Sequence, residues 1–76
     1  MSGTEYRIEM SSQVYGTEEF HYDSLKDANE GMSRLKKDCL QAYRTDKIQR
    51  ELRLFKDCGS FQDLVCEAII PKLKRA

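Results

Sequence analysis

The sequence predicts an α+β fold, with one amphipathic helix packed on a mostly antiparallel sheet in the order ββαββ. Three observations predict it. Two short segments near the start alternate apolar with charged residues, a single apolar stripe at helical spacing follows, and two further segments of strand character close the chain. The 76 residues are read as one domain spanning 1–76, since folding at this size withdraws only about 60% of the unfolded chain's surface from water. A multi-domain enzyme, or a site needing a deep cleft between two lobes, is excluded at this length.

Residues 5–10 place Tyr6, Ile8 and Met10 on one side and Glu5, Arg7 and Glu9 on the other, the period of a half-buried strand. Turn formers occupy 11–17. Phe20 and Tyr22 then alternate with Glu19 and His21, so the first two strands are expected to form a hairpin with a rather long connection. Ser24 followed by Asp27 is close to a capping box. From there Leu25, Ala28, Met32, Leu35, Cys39 and Ala42 step by three and four, which predicts a helix over 24–43. Gly31 interrupts it at about 1 kcal/mol relative to Ala, and nothing in the sequence accounts for it. Arg44–Lys47 reads as a polar connection and 48–56 as a third strand, with Ile48, Leu52 and Leu54 opposite Gln49, Glu51, Arg53 and Phe55. Asp57–Ser60 reads as a turn. The segment 61–70 fits either element: as a strand it aligns Leu64, Cys66, Ala68 and Ile70, as a helix Phe61, Leu64, Val65 and Ala68. Its Val, Cys and Ile favour the strand, which leaves ββαβα as the alternative order.

Catalytic chemistry has little to stand on. The single histidine, His21, falls on the polar face of a strand, and Cys58 is the thiol expected to be exposed. A dyad of the two lacks a marked orienting group. No phosphate-binding, dinucleotide, nucleophile-elbow or zincin motif occurs. Cys39, Cys58 and Cys66 are odd in number and share no short spacing, so neither a disulfide scaffold nor a zinc site is expected, and a reducing cytoplasm is the expected location. Cys39 and Cys66 are instead expected on apolar faces, as small hydrophobes. No cofactor is expected. No apolar run approaches the ~20 residues of a membrane helix, and no secretory or lipidation signal is read at the ends.

Charge is distributed unevenly along the chain although the totals balance, 13 basic against 13 acidic residues. Residues 1–31 hold two bases against seven acids, and the remainder eleven bases against six acids. The helix dipole explains part of this. It does not explain Glu18 and Glu19 before the helix, or Arg50, Arg53 and Lys56 after it. Two candidate partner-binding patches follow: a basic one of Arg34, Lys37, Arg44, Lys47, Arg50 and Arg53, and an acidic one of Glu5, Glu18, Glu19 and Asp23. Tyr15 and Phe55 are candidate aromatic anchors. In size and element order the chain resembles the small stand-alone α+β proteins that phages encode to inhibit host machines, anti-CRISPR proteins among them; no residue motif carries the likeness. It implies a non-enzymatic module that binds a larger protein or complex and occludes or bridges it. The alternative is a nucleic-acid-binding module using the basic helix end and third strand. An open sheet face with a single aromatic, Phe55, argues against base stacking. An exposed sheet edge is compatible with a homodimer.

Overall fold

The computed structural model describes residues 5–71 and has the ββαββ order. Its elements are β1 (Glu5–Ser12), β2 (Gly16–Tyr22), α1 (Leu25–Asp46), β3 (Arg50–Cys58) and β4 (Phe61–Ile70). The strands form one antiparallel sheet in the order β2-β1-β3-β4, and α1 lies across one face. The segment 61–70 is thus a strand.

Alternation decides which side chains meet the helix. Ile8, Leu52 and Leu54 are fully buried beneath α1, where Ala28, Met32 and Cys39 complete the core. Each large aliphatic side chain buried in this way contributes about 1.5–3 kcal/mol. Tyr6, Met10, Phe20, Tyr22, Leu35, Ala68 and Ile70 pack around them. Cys39 is buried as expected and its Sγ donates to Met10 Sδ at 3.6 Å. Burial pushes its thiol pKa up, with Arg50 acting the other way.

The boundaries differ from the expected ones for local reasons. The β1–β2 connection is short: Gln13–Tyr15 span it, Gly16 takes a φ of 80° that favours glycine, and Ser12 Oγ accepts from the Tyr15 N–H at 2.8 Å. Ser24 caps α1, its hydroxyl accepting from the Asp27 N–H at 3.1 Å. The helix runs past 43 to Asp46, and Lys47 ends it at φ 60°, donating its N–H to Tyr43 O. Asp46 then takes the Ile48 N–H at 2.9 Å, which delays β3 to Arg50. Only Gly59 and Ser60 form the β3–β4 turn, Asp57 and Cys58 belonging to β3.

Gly31 now has a reason. It is buried, and a Cβ placed on it would overlap the hydroxyl and ring of Tyr22. The absence of a side chain lets the edge-strand tyrosine lie against the helix backbone.

A second departure concerns β4. Leu54 pairs with Cys66 and Phe55 with Leu64, so Val65 has no partner in β3 and the alternation changes phase there. Cys66, Ala68 and Ile70 keep to the helix side, whereas Leu64 passes to the open face. The single face expected for Leu64, Cys66, Ala68 and Ile70 is therefore split, and Cys66 is exposed rather than packed.

Candidate functional site

The open face of the sheet carries a polar network built around one buried cation. Arg7 sits at 9% exposure near its centre. Its guanidinium donates to Glu9 at 2.5 Å, to Glu19 at 3.1 Å and to Gln62 Oε1 at 2.5 Å, lies 3.7 Å from Asp57, and stacks 4.9 Å from the Phe55 ring centroid. Four strands are thereby tied together by one side chain, because β1 is central and its residue 7 pairs with His21 on one side and Phe55 on the other. His21 Nδ1 stands 2.7 Å from Glu5 and its Nε2 3.5 Å from Glu19. Arg53 bridges Glu51 at 2.9 Å and Glu67 at 3.5 Å. The network has more acids than bases. Among the described residues, Glu5, Glu9, Glu19, Glu51, Asp57 and Glu67 share this face with two bases, Arg7 and Arg53, a net of −4 counting His21 as neutral.

The outer side of α1 has the opposite sign. Lys26, Arg34, Lys36, Lys37, Arg44 and Lys47 outnumber Asp27, Glu30 and Asp38, a net of +3. The described residues thus separate charge between two faces of the molecule, although three of the open-face acids, Glu51, Asp57 and Glu67, come from the part of the chain with the basic excess.

The sequence-predicted residues divide accordingly. Arg34, Lys37, Arg44 and Lys47 are exposed on or just after the helix, Lys47 also lying 5.5 Å from the Tyr43 ring. Arg53 is across the sheet from them, paired with acids. Arg50 is 9% exposed, with its guanidinium bonded to Asp46 at 2.7 Å and to Ile48 O at 3.0 Å. That ion pair holds the Asp46 carboxyl below the usual carboxylate range and raises the Arg50 pKa further. Of the acidic set, Glu5 and Glu19 share the open face, Glu18 projects to the other side of β2, and Asp23 is exposed in the β2–α1 connection. Tyr15 is 62% exposed, with Arg50 5.4 Å from its ring centroid. Phe55 is half-buried under Arg7.

No protein-family model, curated protein or solved structure matches this chain.

The geometry itself carries the functional argument. His21 and Cys58 fall on opposite faces of the sheet, as the pairing of Arg7 with His21 and of Cys58 with Phe61 requires. Among the described residues no three His, Cys, Asp or Glu side chains gather as a metal site, and no helix is long and apolar enough to cross a membrane. A shallow cleft of about 340 Å³ runs beside Arg50, lined by Ser11, Ser12, Gln49, Glu51 and Ile69. Its arginine is committed to Asp46 and its Ser12 hydroxyl to the hairpin turn.

One surface escaped the sequence reading. β4 forms an outer edge of the sheet and exposes Phe61 (60%), Leu64 (51%), Val65 (44%) and Ile69 (46%). These residues lie on both faces of one strand, a pattern usual in strands covered on both sides. The signal was present in the run Leu64-Val65-Cys66 and Ala68-Ile69-Ile70, but it reads equally well as a buried strand.

Proposed function

We propose that the chain is a non-enzymatic interaction module that binds a larger protein through its open sheet face and occludes or bridges it. The observation that carries this reading is the six-carboxylate face, net −4 among the described residues, three of whose acids converge on the buried Arg7. Such a face is partly ordered before binding, because its central cation is already buried and holds Glu9, Glu19 and Asp57 around it. It therefore loses little freedom on docking. A basic surface, including one shaped for nucleic acid, has the complementary potential. The likeness to phage-encoded inhibitors in size and element order points the same way. A nucleic-acid module has less support: the basic residues of α1 are interspersed with Asp27, Glu30 and Asp38, and the open-face aromatic Phe55 is already stacked under Arg7.

The test is capture from source-cell lysate, after nuclease treatment, by three baits of equal thermal stability. These are the wild type, Glu5→Gln/Glu51→Gln/Glu67→Gln on the open face, and Arg34→Gln/Lys37→Gln on the helix. The reading expects a dominant protein retained by the wild type and helix variant and lost from the open-face variant. Loss from the helix variant alone, or loss from all three on nuclease treatment, overturns it.

A further inference from the structure

The two edges of the sheet are built differently. β2, at one edge, carries Glu18 and Glu19 in seven residues, charges that discourage strand addition. β4, at the other, is ten residues long, with Asp63 and Glu67 its only charges. Among the described residues no further strand pairs with this long, apolar edge, such an edge invites another strand, and the phase change at Val65 indicates which strand fits.

Residues opposite one another in an antiparallel pair must point to the same side of the sheet. On β4, Phe61 and Asp63 face the helix side and Gln62 and Leu64 the open side. Beyond Val65, Cys66, Ala68 and Ile70 face the helix side and Glu67 and Ile69 the open side. A regular strand added to this edge would match one half of β4 and mismatch the other. A second β4, run antiparallel, matches on both sides of Val65, because the phase change sits at the middle of the ten residues. With the two-fold axis between Val65 and Cys66, Phe61 falls opposite the second copy's Ile70, Gln62 opposite Ile69, Asp63 opposite Ala68 and Leu64 opposite Glu67. Each of these four pairs shares a face, and neither Asp63 nor Glu67 meets a like charge.

We infer that the chain forms an isologous homodimer through antiparallel β4–β4 pairing, giving a continuous eight-stranded sheet with both helices on one side. The pairing occupies the main-chain groups of the edge and gives Leu64, Val65 and Ile69 neighbours across the axis. The two open faces become one acidic surface. The inference stands on the edge alone and does not depend on the reading of that surface.

The geometry also brings the two Cys66 residues near the axis. Strands about 4.8 Å apart, offset by one residue of about 3.4 Å, place their Cα atoms about 6 Å apart, inside the range a disulfide spans. Cys66 is exposed, so an oxidant reaches it.

Sedimentation equilibrium of the full chain over a hundredfold concentration range tests the association, with three variants testing the register. The expected result is a mass approaching twice 8.9 kDa, and diamide treatment giving a covalent dimer that Cys66→Ser abolishes. Leu64→Glu sets a second acid opposite Glu67 of the other copy and is expected to weaken the dimer at least tenfold. Leu64→Lys, with the same loss of apolar surface but an attractive pair, is expected to retain it. A monomer at every concentration overturns the inference and leaves the edge to a strand from a different protein. A dimer that is indifferent to the sign at Leu64, or that cross-links through Cys58, overturns the register.

Discussion

Replacing Gly31 by Ala is expected to destabilise a helix that ordinary propensity says it should strengthen. In an exposed helix interior the change is worth about 1 kcal/mol in favour of Ala, through the entropy of the unfolded backbone and the intrinsic preference. Here the new methyl group would occupy space held by the Tyr22 hydroxyl and ring. Tyrosine has two side-chain torsions, so relief comes only by swinging the ring off the core edge or by moving the helix away from β2. Overpacking of this kind costs about 1–3 kcal/mol, and the Ala preference offsets about 1 of it. The net expectation is a loss of up to about 2 kcal/mol, or a fall of up to roughly 16 °C in Tm for a domain of this size. Thermal unfolding followed by far-UV circular dichroism measures it. The decisive comparison is a cycle with Tyr22→Ala. With the ring removed, Gly31→Ala should change sign and stabilise by up to about 1 kcal/mol. A rise in Tm from Gly31→Ala in the wild-type background would refute the account of this glycine.

Two further expectations concern the buried arginines. Arg7→Met keeps the aliphatic stem over Phe55 but leaves Glu9, Glu19 and Asp57 facing one another; these carboxylates are partly exposed, at 26%, 48% and 25%. The expected loss is about 2 kcal/mol, below the 3–5 of a fully buried broken pair, and denaturant unfolding should show Glu19→Gln recovering part of it. A cost near zero would mean that the open face is not organised by Arg7. Asp46→Asn tests the second ion pair through pH. Because Arg50 lowers the folded Asp46 pKa, its stabilisation is complete above the ordinary carboxylate value, about 4. It disappears as pH falls through the lower folded value. The variant should therefore be less stable than the wild type at pH 7, and the gap should close in acid. A gap that stays constant from pH 7 to pH 2 would contradict the assignment.

What the sequence disclosed, and what it withheld, follows from the range over which each feature is encoded. The period-2 pattern of Tyr6, Ile8 and Met10 and the stripe from Leu25 to Ala42 are local, and they give the strands and the helix directly. Ser24 and its cap are local as well. Gly31 is explained by Tyr22, nine residues away on another element, so no window along the helix contains its reason. The phase change in β4 depends on its pairing with β3, since alternation through 61–70 looks unbroken in one dimension. The basic patch read from Arg50 and Arg53 treats neighbours in sequence as neighbours in space, whereas alternation sends them to opposite faces. One signal was available: Asp46 and Arg50 stand at i and i+4, the spacing of an ion pair. Another was Arg7 itself, the only base in a strand flanked by Glu5 and Glu9.

The separation of charge between the two faces also governs how the molecule approaches anything else. A chain with a formal net charge of +0 exerts almost no pull at long range. Among the described residues, carboxylates gather on the open sheet face and lysines and arginines on the outer side of the helix, so the molecule is nevertheless an electric dipole across its two layers, and a dipole experiences a torque. Within about one Debye length of a charged surface, roughly 8–10 Å at physiological salt, the protein turns before it touches. For docking through the open face as proposed, the association rate is then expected to depend on orientation more than on net attraction, and added salt is expected to slow it by removing alignment.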